Sequence, residues 1–300
     1  MRARLFALIT PVALLLASPA SALALNINED YKPQNEFKLD PWIEIKLGGL
    51  DVSITKAVAY LIAAGVITVL IMTYVAKRMQ ERPGRLQVVV EGYYELIQTL
   101  TKGNMEGAML RRWFPFLATI FVFIWVSNML GYLPVPTNTE HKVDILGLKI
   151  PSFALYAATA NLSVPLVLTL VVWVSYHIEG FREKGVIGFY KGLIPAGTSG
   201  AVLLLVFPIE LISDFVRVVS LSVRLFANIL AGHLLILFMG GGLVVLLNLA
   251  IAGSIVLGGL TGVMAVGFFI FEVGLVATLQ AFIFTTLSAI YLGGAVAAEH

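Results

Sequence analysis

Uncharged runs of about twenty residues or more bound what this chain can fold into. Residues 57–76 (AVAYLIAAGVITVLIMTYVA) hold no charged residue, and neither do residues 113–134 or 153–176. About 20 apolar residues in a helix cross the roughly 30 Å hydrocarbon core of a bilayer. In lipid the backbone must satisfy its own hydrogen bonds, which leaves helices and closed barrels. Two longer apolar regions follow, 201–247 and 249–297. Charged residues make up 13% of the chain and hydrophobic residues 59%, against about 25% charged in a soluble domain. The expected fold class is an all-α polytopic membrane protein with five membrane-embedded helices. The chain has no cysteine, which excludes disulfides, thiolate metal sites and a cysteine nucleophile. No basic block points to nucleic acid.

Residues 1–24 read as a signal peptide. Arg2 and Arg4 precede an apolar core from Leu5 to Leu16, and Ser21-Ala22-Leu23-Ala24 offers a small-residue cleavage site. An uncleaved first anchor is the other reading. Either way residues 25–55, polar and acidic-leaning, are expected outside and the membrane domain over 56–297. Lys77, Arg78, Arg82 and Arg85 follow the first span at once and mark its inner end. The stretch 86–112 begins with Leu86, Val89, Val90, Tyr93, Leu96, Ile97 and Leu100 on one helical face. It predicts a single amphipathic helix at the cytoplasmic surface, or one packed on protein. Loop 135–152 falls outside and loop 177–200 inside. Ten Lys and Arg then lie on the inner side (Lys77, Arg78, Arg82, Arg85, Lys102, Arg111, Arg112, Arg182, Lys184 and Lys191). Six lie outside (Lys32, Lys38, Lys46, Lys56, Lys142 and Lys149). This places the N-terminus outside and the C-terminus in the cytoplasm.

The last two regions are too long for ordinary spans. A helix over 201–245 would reach roughly 67 Å at about 1.5 Å per residue, so the pair is expected to tilt steeply, bend or lie partly along the membrane. The first of them carries Glu210, Asp214, Arg217, Arg224, Asn228 and His233. Charges inside a span are costly and mark function by default. The spacings 4, 3, 7 and 4 put Glu210, Asp214, Arg217, Arg224 and Asn228 on one face, with Ser220 close to it. His233, nine residues after Arg224, faces the other way. Glu210, Asp214 and Arg217 can also pair among themselves as a purely structural set. Arg224 has no acidic residue within one turn. Arginine keeps its charge at any physiological pH, so its counter-charge must come from elsewhere. His233 suits proton relay, since histidine titrates near neutrality, or a satisfied core position. Glu272, in GFFIFEVGLV, is the single acid of the last region, and Gln280 follows eight residues later. Gln280 can bond Arg224 without adding charge, or simply pack.

The run Ser220-Leu-Ser-Val-Arg224-Leu-Phe-Ala-Asn228-Ile-Leu-Ala-Gly232-His233 resembles the signature of the ATP synthase subunit a family, S-L-x-x-R-L-F-x-N-x-x-A-G-H/E. Leu279-Gln280-Ala-Phe-Ile-Phe and Ile290-Tyr291-Leu292 resemble that family's last helix. Arg82-Pro-Gly, Phe114-Pro115 and Asn128-Met-Leu-Gly131-Tyr-Leu-Pro134 follow its order upstream. The resemblance covers roughly residues 40–297. It implies a proton-translocating stator subunit of the F0 sector, not catalytic by itself, in the cell inner membrane. Arg224 would face carboxylates of the rotor c-ring. Asn228, His233, Glu272 and Gln280 would line two aqueous half-channels or position Arg224, with Glu210 in the cytoplasmic one and Ser220, Asp214 and Arg217 as supporting polar groups. Implied partners are the c-ring, the b subunits of the peripheral stalk and the remaining F-type ATP synthase subunits; no cofactor is implied. The family usually sets the acid or His of the last helix seven residues before the Gln. Here the interval is eight, and a local bulge near Gly274 would restore the register. The segment Ala158-Thr-Ala-Asn161-Leu-Ser also lacks the acid often found there.

Two other classes are weighed. A stand-alone secondary transporter predicts an inverted repeat, and none is visible. A membrane enzyme needs clustered catalytic groups, whereas His141, His177, His233 and His300 are scattered. The chain has no phosphate-binding loop, so any ATP chemistry would belong to a partner.

Overall fold

The computed structural model describes residues 39, 41–47, 50–51, 53–105, 107–145, 148–194, 201–242 and 251–296. The expected signal peptide lies outside them. Short strands β1 (Pro41–Ile43), β2 (Lys46–Leu47), β3 (Leu50–Asp51) and β4 (Ile54–Thr55) precede the helices. Strand β1 pairs antiparallel with β4, and β2 with β3. Helices α1 (Lys56–Lys77), α2 (Arg85–Lys102) and α3 (Gly107–Gly131) follow, then the antiparallel strands β5 (Val135–Ile145) and β6 (Leu148–Ala154). After them come α4 (Ser163–Lys191), α5 (Ala201–Leu237) with a π-helical end over Phe238–Gly242, α6 (Ile251–Phe271), a π-helical turn over Glu272–Val276, and α7 (Ala277–Val296).

Four helical segments are long and apolar enough to cross a membrane: Lys56–Tyr74, Gly107–Gly131, Ser163–Lys191 and Gly253–Val296. Many large apolar side chains on them are exposed, among them Ile62, Leu70, Val256 and Val263. Water would not tolerate so much apolar surface, and lipid does. The protein is therefore a mostly helical, polytopic membrane protein.

The chain divides into two compact units. The larger comprises Leu39–Pro134, Tyr156–Ile229 and Val276–His300. Its core is built where α3 packs on α7 and α1, and α4 packs on α7. Leu117, Ile120, Ile124, Ala281, Phe284 and Leu292 are buried there. Small residues let elements approach. A Cβ added at Gly131 would lie 2.4 Å from the Cβ of Ala157 and 2.8 Å from its Cα. Backbone cannot yield as a flexible side chain can. Gly131→Ala is expected to cost about 1–3 kcal/mol by overpacking, read as a lower temperature at which the detergent-solubilised complex dissociates. The smaller unit takes in, among the described residues, those of Val135–Leu155 and Leu230–Leu275. In it, the π-helical end of α5 packs on α6.

Three expected boundaries move. The amphipathic helix ends at Lys102 rather than at 112. Gly103 caps it, and a new helix starts at Gly107, whose φ of +57° favours glycine. Arg111 and Arg112 therefore open α3. Part of the apolar face of α2 meets α3: the Tyr93 ring packs on Phe121 and the Tyr93 hydroxyl donates to the carbonyl of Ala118, while Val89 and Leu96 stay exposed. Burial pushes the pKa of Tyr93 up, which keeps this donor protonated. The segment 135–152, expected as a loop, is a β-hairpin. Lastly, α4 does not stop at 176: it runs on to a break at Gly185 (φ +71°) and resumes to Lys191. The charges after Tyr176, expected in a loop, lie on this helix, and Glu179 is buried with Arg112 Nη1 at 2.8 Å.

Candidate functional site

The site residues fall into three local groups. The first is the outer face of α5, where Ser220, Arg224 and Asn228 stand one turn apart and are exposed. The opposite face of the same turns is buried, through Leu221, Ser222, Leu225 and Ile229. Val216, Val219 and Val223 flank Arg224 and are exposed as well. Among the described residues Arg224 makes no ion pair. Gln280 is buried on α7, and among the described residues no hydrogen bond joins it to Arg224.

The second group surrounds Asp214. The expected single stripe splits here. Asp214 is only 2% exposed, whereas Arg224 and Asn228 are exposed. At about 100° per residue, Asp214 and Arg224 sit about 80° apart around the helix, wide enough for one to turn inward and the other outward. The Asp214 carboxylate accepts from Trp173 Nε1 at 2.9 Å and from the Tyr176 hydroxyl at 2.5 Å. His177 Nε2 lies 3.4 Å from Oδ2, and Arg217 Nη1 lies 3.8 Å from Oδ1. The Asp214–Arg217 pair matches the structural reading of these charges, with added partners from α4. Beside it an open cavity of about 340 Å³ is lined by Glu210, Asp214, Arg217, Tyr176, Lys184 and Tyr291.

The third group lies in the smaller unit. His233 and Glu272 are both buried, at 2% and 6% exposure. Glu272 opens the π-helical turn, which falls where the eight-residue interval asked for a bulge. A π-turn takes in one extra residue and so re-aims a side chain. The Glu272 carboxyl group lies against Gly232: a Cβ there would come within 2.3 Å of the carboxyl carbon. Thus the Ala-Gly-His segment of α5 uses its glycine to admit the acid beside His233.

Sequence reasoning missed Trp173, Tyr176, His177 and Glu179. Trp173, Tyr176 and His177 follow the i, i+3, i+4 spacing of one helical face, a signal hidden by ending the span at 176, and Glu179 lies off that face. Glu179 Oε1 accepts from Arg112, and Arg182 stands 4.0 Å from Oε2. Arg112→Ala would leave this buried carboxylate without its near partner. A loss of about 1–3 kcal/mol is expected, seen as earlier heat dissociation, with Arg112→Lys intermediate.

Helices of spanning length, with charged residues set deep into one long apolar helix, are the pattern of membrane proteins that move ions. A family profile described as the ATP synthase A chain matches residues 58–293. "ATP synthase subunit a" of Paramagnetospirillum magneticum is 32% identical over 265 residues, covering 88% of this chain and 98% of that protein. "ATP synthase subunit a 1" of Brucella anthropi is 34% identical over 270 residues, covering 89% and 98%. "ATP synthase subunit a" of Parvibaculum lavamentivorans is 33% identical over 272 residues, covering 89% and 94%. The chain belongs to the ATP synthase A chain family, the membrane-embedded, ion-translocating subunits of the F0 sector, which are not catalytic by themselves.

Proposed function

We propose that this chain is the stator that couples proton flow to rotation of a carboxylate-bearing c-ring, with Arg224 as the coupling residue. The observation that carries the reading is Arg224 itself: a permanent charge, exposed in an apolar helix face and without an ion pair among the described residues. An uncompensated charge in a membrane is costly, so a carboxylate on a partner is the expected complement. The apolar neighbours Val216, Val219 and Val223 let a smooth rotor surface slide past.

A proton from outside passes groups near His233 and Glu272 and neutralises a rotor carboxylate. The neutral site then turns through lipid at low cost. After nearly a full turn it reaches the cavity lined by Glu210 and Arg217, the proposed cytoplasmic half-channel, and releases its proton. Arg224 attracts the ionised carboxylate and keeps the two paths apart. Asn228 and Gln280 position Arg224 or line the paths, while Ser220, Asp214 and Arg217 support the polar lining. The driving energy is about 2.3 kcal/mol per charge per 100 mV, so one ATP requires several protons.

In this reading α5 is a fifth embedded helix. Its 37 residues span about 55 Å at about 1.5 Å each, which suits a steep tilt along the ring, shared with the final helix. The amphipathic helix α2 lies at the cytoplasmic surface. The N-terminus is external and the C-terminus cytoplasmic, in the cell inner membrane, with the b subunits and the rest of the F-type complex as partners. Arg224→Ala in membrane vesicles tests it. ATP-driven acidification is expected to vanish while the complex stays assembled and hydrolysis persists in part. Normal acidification would overturn the assignment.

A further inference from the structure

We infer that Asp214 and His177 form a proton-holding pair that serves the cytoplasmic half-channel, a relay beyond Glu210; the inference rests on reading that cavity as the half-channel. His177 Nδ1 lies 2.9 Å from the carbonyl oxygen of Trp173. A carbonyl oxygen only accepts, so Nδ1 carries a hydrogen. In the neutral ring Nε2 then presents a lone pair, and it faces Oδ2 of Asp214 at 3.4 Å. Two lone pairs at that distance repel. One proton shared between Nε2 and Oδ2 removes the conflict, as imidazolium with carboxylate or as imidazole with carboxylic acid. Both arrangements are neutral overall, which suits burial at 5% and 2% exposure.

The surroundings make this proton exchangeable as well as stable. Asp214 lines the cavity and His177 does not, so the proton leaves and returns through the carboxylate, to and from water in the cavity. When it has left, Asp214 keeps a negative charge held by three groups: Trp173 Nε1, the Tyr176 hydroxyl and Arg217. The other titratable groups facing it are Lys184 of α4, Glu210 of α5 and Tyr291 of α7, all on the cavity wall. Lys184 and Arg217 offset the charge of Glu210 and the deprotonated pair. The rings of Phe181 and Phe189 close the far side of His177. A clamp that merely joins α4 to α5 would need only the Trp173 and Tyr176 bonds; the fixed tautomer and the cavity-facing acid add a site for one mobile proton.

The test uses inside-out vesicles holding the whole complex, with the rate of ATP-driven acidification recorded against outer pH for Asp214→Asn and His177→Gln. Arg224→Ala runs alongside. Both variants are expected to shift the alkaline limb of the profile to lower pH by about one unit, because uptake from scarce protons loses its relay. ATP hydrolysis in detergent stays unchanged. If Asp214→Asn fails to assemble, His177→Gln carries the comparison. Profiles that superimpose on the unsubstituted protein, or that fall equally at every pH with the amount of complex, would overturn the relay in favour of a clamp. Normal pumping by Arg224→Ala would instead overturn the half-channel reading itself.

Discussion

Gly232→Val is expected to leave the complex assembled and hydrolysing ATP but to lose most of its ATP-driven acidification. The reason is geometric. A Cβ at this position would meet the Glu272 carboxyl group at 2.3–2.5 Å on all three of its terminal atoms. Real Cβ contacts are never that short, so the carboxyl group must leave its place, and valine adds two further methyl groups. Glu272 opens a π-helical turn, of the kind found often at functional sites. The displaced acid then loses its position beside Gly232, on the proposed outer path. Overpacking of this kind costs about 1–3 kcal/mol, too little to unfold a subunit held by several helices but enough to empty one site. Gly65→Ala supplies the control, since nothing lies within 4 Å of a Cβ there, and it is expected to pump normally. Glu272→Gln combined with Gly232→Val should be no worse than Gly232→Val alone. An additive loss would show that Gly232 acts elsewhere.

Arg224→Lys is expected to fail nearly as completely as Arg224→Ala, although it keeps the charge. Arginine presents a rigid planar fork of five donors that binds a carboxylate through two parallel bonds. Lysine offers a compact, strongly hydrated ammonium whose proton is lost more readily when desolvated. An ammonium facing rotor carboxylates in a dry interface can hand over its proton and let the two paths connect. The expected measurements are lost acidification in both variants and a raised passive proton leak in vesicles stripped of the catalytic sector. Coupled pumping by Arg224→Lys near the rate of the unsubstituted protein would mean that any cation suffices at this place.

How far the sequence carried is clearest at single elements. The run 57–76 and the motif around Arg224 were legible because lipid leaves few options for an apolar stretch and fewer for a charge inside one. The turn at Glu272–Val276 was legible as a mismatch, one residue too many before Gln280. The fate of Asp214 was not. Its partners Trp173 and Tyr176 come from α4, and spacing along α5 says nothing of them. The continuation of α4 past Tyr176 was missed for a related reason: Glu179 and Arg182 look like loop charges until Arg112 is seen to pair with Glu179 across 67 residues. The hairpin β5–β6 was hidden because its prolines and polar residues read as loop.

The central claim is that the Arg224 face of α5 meets the rotor. The chain contains no cysteine, so single cysteines report cleanly. Asn228→Cys, on the exposed face, and Ser222→Cys, buried on the opposite one, are each paired with one cysteine placed a turn from the rotor carboxylate. Oxidation of assembled membranes should join Asn228→Cys to the rotor subunit and leave Ser222→Cys unlinked. Cross-linking through Ser222→Cys, with none through Asn228→Cys, would contradict the account.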